Sequence, residues 1–182
     1  MTVKTTPLEG LLIIEPKVFR DKRGYFFESY NKRLYEQNGI TDDFVQDNQS
    51  FSSYGVVRGL HYQLNPFAQS KLVRVLHGRI FDVAVDLRKG SPTFGKWFGV
   101  ELSSDNFLQL YIPRGFAHGF SVLSEIAVVF YKCDNYYAPD YEEGILYNDP
   151  ALAIDWKLPA DKITVSEKDM RNKAFGNAQM NF

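Results

Sequence analysis

Two of the chain's three histidines stand in short glycine-framed motifs, Arg58-Gly59-Leu60-His61-Tyr62-Gln63 and Pro113-Arg114-Gly115-Phe116-Ala117-His118-Gly119-Phe120. Histidine is the side chain whose ordinary pKa lets it exchange a proton near neutrality, so this pair marks where proton transfer or metal ligation is to be sought. The third, His77, precedes Gly78 in a turn and is set aside. A histidine base is usually oriented by a carboxylate, here Asp82, Asp86 or Asp169, which spacing alone does not rank. An enolate forming beside it needs a cation or donor at its oxygen, a part suited to Lys71 or His118. Return of the proton on the opposite face needs a second acid, and a buried tyrosine such as Tyr131 suits it. The bland alternative is a solvated Lys71, a packing Tyr131 and two hydrogen-bonded core histidines. Against it, glycines and the cations Arg58, Lys71, Arg74 and Arg114 lie close to both histidines, where a core filler would be poorly placed.

Small metal-binding β-barrels of the cupin type use a His-x-His pair with a later histidine. Pro113-x-Gly115-x-x-His118 matches their second motif, but Tyr62 and Gln63 follow His61, so the second imidazole of the first is missing. Two nitrogen ligands are fewer than a divalent site of this kind needs, and no metal is expected.

The elements that must position these residues read as short strands. Runs at Leu11–Phe19, Gly24–Ser29, Val56–Gln63, Lys71–Leu76, Ile80–Leu87, Trp97–Leu102, Leu108–Ile112, Gly119–Leu123 and Ile126–Tyr131 are separated by Gly, Pro, Asn and Asp. His77-Gly78-Arg79 reads as a tight hairpin joining the fourth and fifth runs. The pattern predicts an all-β antiparallel sandwich or small barrel. Helix is confined to Asn31–Gln37, with an Asn cap, and to short pieces near Ala160–Lys162 and Ser166–Met170. No linker interrupts the chain, so residues 1–182 are read as one domain. In Ile80–Leu87 the odd positions are apolar and Asp82 and Asp86 fall on the other face, toward water or a pocket. Ile126–Tyr131 is apolar on both faces, which predicts cover on both sides and a partner for the Tyr131 hydroxyl. Strict alternation would put Arg58 and His61 on opposite faces, and a bulge at Gly59 would bring both to one cavity.

Composition excludes more than it selects. With 21 basic and 22 acidic residues, the formal net charge of -1 gives no electrostatic case for nucleic acid or an anionic membrane. The lone Cys133 excludes an internal disulfide or a cysteine-rich zinc site. The N-terminus lacks an apolar leader and no run is long enough to span a bilayer, which fits a cytoplasmic protein.

The ordered series Asp21-x-Arg23-Gly24-Tyr25-Phe26-x-Glu28, Gln46-Asp47-Asn48-x-Ser50, Arg58-Gly59-Leu60-His61-Tyr62-Gln63 and Lys71-Leu72-Val73-Arg74-Val75 strongly resembles the dTDP-4-dehydrorhamnose 3,5-epimerase family. It continues through Gly78-x-Ile80-Phe81-Asp82-Val83-Ala84-Val85-Asp86-Leu87-Arg88, Pro113-x-Gly115-Phe116-Ala117-His118-Gly119-Phe120, Tyr131-Lys132-Cys133-x-x-Tyr136-Tyr137, Glu142-x-Gly144 and Ser166-x-Lys168-Asp169. The resemblance implies a cupin-like jelly roll with a few short helices, mostly near the C-terminus. It also implies an isomerase of deoxysugar (rhamnose) biosynthesis that works without a cofactor, inverting both carbons flanking the ketone of dTDP-4-keto-6-deoxyglucose. By that resemblance His61 is the base, Asp169 its carboxylate, Tyr131 the opposite-face acid, and Lys71 and His118 groups at the sugar and its ketone oxygen. Arg23, Phe26, Glu28, Gln46, Asn48, Arg58, Tyr137, Glu142 and Lys168 would contact nucleotide, diphosphate or sugar, with a homodimer sharing the nucleotide site. The alternatives are a mono-epimerase of a related dTDP-4-keto sugar, a non-catalytic sugar-nucleotide binder, and a metal-dependent cupin. The chain differs from the family pattern after Asp169, where Met170-Arg171-Asn172-Lys173-Ala174-Phe175 stands in place of a proline-containing stretch.

Overall fold

Period-two alternation over short runs makes several strands apolar on one face, and the computed structural model, which describes Met1–Phe182, stacks those faces as two antiparallel sheets. In chain order the strands are β1 (Thr2–Thr5), β2 (Leu12–Glu15), β3 (Phe19–Asp21), β4 (Gly24–Phe26), β5 (Gln46–Ser53), β6 (Val57–Gln63) and β7 (Lys71–His77). They continue as β8 (Arg79–Asp86), β9 (Trp97–Ser103), β10 (Gln109–Ile112), β11 (Phe116–Val122), β12 (Ile126–Cys133) and β13 (Glu142–Gly144). One sheet runs β1-β2-β10-β7-β12-β5, the other β13-β6-β11-β8-β9, and β3-β4 is a separate hairpin. The single α-helix, α1 (Lys32–Glu36), begins at Asn31, whose side chain accepts from the Leu34 N–H as the sequence predicts.

Three apolar layers hold the sheets. Val73, Val75, Ile80, Ala84, Leu110, Phe120, Val122, Ala127 and Val129 fill the space between them. The outer face of the five-stranded sheet (Val57, Phe81, Val83, Val85, Ala117) is covered by the C-terminal segment through Ile145, Leu152, Trp156 and Met180. Around α1, Tyr35 and Ile40 cap Ile14, Leu72 and Tyr111 on the outer face of the six-stranded sheet. Burying each such large aliphatic contributes roughly 1.5–3 kcal/mol.

Three expectations are corrected. β7 and β8 do not form a hairpin: they lie in different sheets, and Gly78 is the corner at which the chain crosses between them. At φ +80°, a Cβ there would stand 2.1 Å from the Ile126 carbonyl oxygen, so the corner needs glycine. β12 is not covered on both sides, because α1 caps only the β2-β10-β7 part of its sheet; Ile126, Val128 and Phe130 are half-buried. β8 is buried on both faces, its even positions Ile80 and Ala84 facing the inter-sheet core beside Asp82 and Asp86. Strands β1, β5 and β13 were not legible as strands; β5, Gln-Asp-Asn-Gln-Ser-Phe-Ser-Ser, has polar residues at nearly every position.

Candidate active site

On β6 the glycine bulge is present. His61 pairs with His118 and Arg58 with Phe120, so Gly59 and Leu60 together oppose the single residue Gly119 on β11. Gly59 takes φ +119°, and its α-carbon is so close to β11 that a Cβ would meet Gly119 Cα at 2.6 Å and the His118 carbonyl oxygen at 2.7 Å. The extra residue turns Arg58 and His61 to the same side. Both line a cavity of ≈ 360 Å³ between the sheets, a volume in the range of small-molecule sites.

Each wall of that cavity contributes different chemistry. The five-stranded sheet presents His61 and His118 as cross-strand neighbours. The six-stranded sheet presents Lys71, Tyr131 and Ser50 from β7, β12 and β5. The C-terminal segment adds Ser166, Lys168 and Asp169 at the rim. A smaller recess of ≈ 220 Å³ shares His61, Lys71 and Tyr131 and is lined further by Gln46, Asn48, Tyr137 and Glu142.

The three candidate carboxylates separate cleanly. Asp169, on the 3-10 turn Asp169–Arg171, places Oδ1 2.7 Å from His61 Nε2, while its Oδ2 accepts from the Gly59 N–H at 3.2 Å. Burial works to raise its pKa, but the His61 ring and the Gly59 N–H outweigh that and hold the carboxyl below its ordinary range. Asp82 instead takes His118, Oδ1 to Nε2, also at 2.7 Å. Asp86, at the end of β8 and outside the cavity lining, receives Arg88, Ser91 and Thr93. With Nε2 of His61 committed to Asp169, its Nδ1 is the nitrogen left for the cavity.

Opposite the histidines, burial pushes the Tyr131 phenol up to about 12, so it remains protonated at neutral pH. The partner expected for its hydroxyl is absent from the protein; the hydroxyl faces the cavity, with the Lys71 ammonium 5.8 Å from its ring centroid. Burial lowers the pKa of Lys71, and the Asp82 and Glu142 carboxylates are among the groups that act against that shift. At the mouth, the Glu142 carboxylate accepts from Lys168 Nζ and from the Tyr137 hydroxyl, both at 2.6 Å. Lys168 thus stands at the cavity mouth despite the altered sequence after Asp169. Arg58 is held at the rim by Ser52 Oγ at 2.9 Å and the Phe51 carbonyl at 3.1 Å. Gln46 bonds Asn48 and receives the Tyr137 N–H at 3.0 Å.

Arg23, Phe26 and Glu28 are not brought to this cavity. Arg23 and Phe26 lie on the exposed β3-β4 hairpin, where Arg23 pairs with Asp21, and Glu28 follows it, bonded to Asn31. Phe26 is 67% exposed. Ser50 and Ser166, assigned no role from the sequence although both stand in the family motifs, also line the cavity, and Ser166 Oγ accepts the Asp169 N–H. No three histidine, cysteine, aspartate or glutamate side chains converge as a metal-ligand set. No helix is long and apolar enough to cross a membrane.

A two-sheet cupin-like barrel with a histidine–carboxylate pair on one wall and a protonated phenol on the other is the framework of an isomerase of the carbohydrate-epimerase class. The family model for dTDP-4-dehydrorhamnose 3,5-epimerase matches residues 5–177, and the chain belongs to that family. It is 56% identical over 172 residues to the dTDP-4-dehydrorhamnose 3,5-epimerase of Pseudomonas aeruginosa, covering 94% of each chain. Among solved structures, the dTDP-4-dehydrorhamnose 3,5-epimerase of Elizabethkingia anophelis superimposes with a TM-score of 0.93 at 56% identity, covering 97% of both chains. The dTDP-6-deoxy-D-glucose-3,5-epimerase of Legionella pneumophila, solved in complex with dTDP-4-keto-L-rhamnose, also gives 0.93, at 53% identity over 97% of this chain and 93% of that one.

Proposed function

We propose that this chain, acting as one unit over residues 1–182, inverts both carbons flanking the ketone of dTDP-4-keto-6-deoxyglucose, with His61 as base and Tyr131 as acid. The observation that carries this reading is their placement on facing walls of one cavity, His61 backed by Asp169. His61 Nδ1 takes the proton from carbon, and the ionised Asp169 stabilises the imidazolium that results. The electron pair left behind moves onto the ketone oxygen, where the Lys71 ammonium and His118 meet the developing charge. Tyr131 then delivers its hydroxyl proton to the opposite face, and the new C–H bond inverts the centre. His61 ends protonated and Tyr131 ionised; exchange with water resets both, so each inversion exchanges a carbon-bound hydrogen with solvent. The second flanking carbon follows the same path.

Arg58 and Lys168, together with Gln46, Asn48, Tyr137 and Glu142, are proposed to hold the sugar nucleotide at the mouth, since they line the cavity and its recess. Arg23, Phe26 and Glu28 are proposed to complete the nucleotide site of a second copy in a homodimer, which accounts for an arginine and an aromatic side chain displayed on an exposed hairpin away from the chain's own cavity. The test is incubation of the enzyme with the 4-keto sugar nucleotide in deuterium oxide. Deuterium at both flanking carbons with inverted products is expected; label at one carbon only overturns double inversion in favour of a mono-epimerase, and binding without label overturns catalysis.

A further inference from the structure

The cavity holds a second histidine–carboxylate pair that the proton transfers do not require. His118 Nε2 stands 2.7 Å from Asp82 Oδ1, the same separation as in the His61–Asp169 pair. The surroundings differ: the His118 side chain is 7% exposed and that of Asp82 0%, against 31% for His61. Asp82 Oδ2 is sealed from solvent and has no hydrogen-bond partner. The His118 ring is thus the only hydrogen-bonding group that the Asp82 carboxylate meets. A buried carboxylate served by one neutral donor is a costly arrangement, and a positive charge on that donor offsets much more of the desolvation. Other charged and titratable groups face the same space: Arg58 and His61 on β6, Lys71 on β7, Tyr131 on β12 with its ring centroid 6.5 Å from that of His118, and Lys168 and Asp169 from the C-terminal segment. Of the carboxylates, Asp169 is engaged by His61 and Gly59, which leaves Asp82 to His118.

We propose that Asp82 is a positioning residue for the reaction: it holds His118 as an imidazolium whose Nδ1–H is a second donor, beside Lys71, to the oxygen on which the enolate charge forms. The inference rests on the function proposed above and assigns Asp82 no contact with substrate; it acts through the ring it holds. The ketone oxygen then receives one donor from each sheet, so the two walls must keep their spacing for both to reach it. The two histidine–carboxylate pairs, alike in geometry, thereby take opposite parts. The part-exposed His61 meets the carbon-bound proton, whereas the sealed His118 serves as a fixed donor.

Asp82→Asn puts an amide, itself an N–H donor, against Nε2 and removes the charge. The variant is expected to lose roughly 10²-fold in kcat, the usual cost of one oxyanion donor, with KM within about 2-fold. Deuterium exchange at both flanking carbons should fall in parallel with turnover, and activity should decline at lower pH than in the wild type. In a His118→Asn background the same substitution should change kcat by less than about 3-fold, because its effect passes through the ring. In the wild type itself, nitrogen-15 NMR of the imidazoles, with His118 assigned through its nuclear contacts to the neighbouring Phe120 and Tyr131 rings, should show both His118 nitrogens protonated at pH ~7. A neutral His118 pattern in the wild type, a wild-type kcat in Asp82→Asn, or an undiminished loss in the His118→Asn background overturns the inference. Wild-type enzyme that exchanges no deuterium overturns the underlying reading instead.

Discussion

Adding one methyl group at Gly59 tests whether the β6 bulge is what aims His61. The Cβ would stand 2.6 Å from Gly119 Cα and 2.7 Å from the His118 carbonyl oxygen. Carbon–carbon contacts settle at about 3.5–4.0 Å, so β6 and β11 must part by roughly 1 Å. Both neighbours are backbone, and no flexible side chain can swing aside. Overpacking of this kind costs about 1–3 kcal/mol, and a side chain at a left-handed φ costs a further amount of similar size. A sum on the order of 3 kcal/mol lowers Tm by roughly 6–12 °C for a chain of this length. The same displacement of His61 is expected to cost on the order of 10²-fold in turnover. Thermal unfolding by circular dichroism and deuterium incorporation by NMR read the two effects. Gly24→Ala is the control: its φ is +135° but nothing lies within 4 Å of the added carbon, so it isolates backbone strain from crowding. A Gly59→Ala enzyme with the Tm of the Gly24→Ala protein and full turnover would refute the crowding argument and the role of the bulge together.

His61→Ala should abolish deuterium incorporation at both carbons, whereas Tyr131→Phe should retain some incorporation but lose inversion, because the enolate can still be reprotonated from the base side; equal loss of both signals in the two variants contradicts the assigned parts. Phe26→Ala, remote from the chain's own cavity, should raise KM about 10-fold with kcat little changed; an unaltered KM would rule out the shared nucleotide site. For Asp86, burial acts to raise the pKa, but the hydrogen bonds from Arg88, Ser91 and Thr93 overcome it and bring the group down to about 2 from 3.8. A carboxyl depressed on folding contributes stability above its unfolded value, here on the order of 2 kcal/mol, and loses it as pH falls through about 2. Urea unfolding between pH ~5 and ~2 should show wild type converging on Asp86→Asn at the acid end, and parallel curves would refute the assignment.

How much was legible in the sequence depended on whether a residue's partner was local. Strands with apolar alternation, such as β6, β8 and β11, could be read directly, and the bulge followed from Arg58 and His61 being three apart with a glycine between them. β5 was invisible because its inward positions Gln46, Asn48, Ser50 and Ser52 serve a cavity instead of the core, so it carries no apolar signal. The β7–β8 junction was misread because a glycine turn between two strands looks the same whether they pair or part into separate sheets; only the crowding of Gly78 against Ile126 distinguishes them. The pairing of Asp82 with His118 follows from register between β8 and β11, and that of Asp169 with His61 from the docking of a turn 108 residues away, neither of which spacing along the chain encodes; Asp86–Arg88 is a local contact two residues apart. The family motifs covered most of the site, while the two sets of residues on the hairpin and at the cavity differ in a way that only the three-dimensional arrangement reveals.

The partners of the His61–Asp169 pair are 108 residues apart, and Asp169 rides on a short 3-10 turn in the segment laid over the finished barrel. During synthesis both sheets can therefore close, and the cavity can take shape, while its base still lacks the carboxylate that orients it. The base is oriented only once the segment that carries Asp169 has docked. In the folded protein the same dependence ties proton transfer to docking: local opening of the turn that carries Asp169 would leave His61 without its carboxylate while both sheets stayed closed.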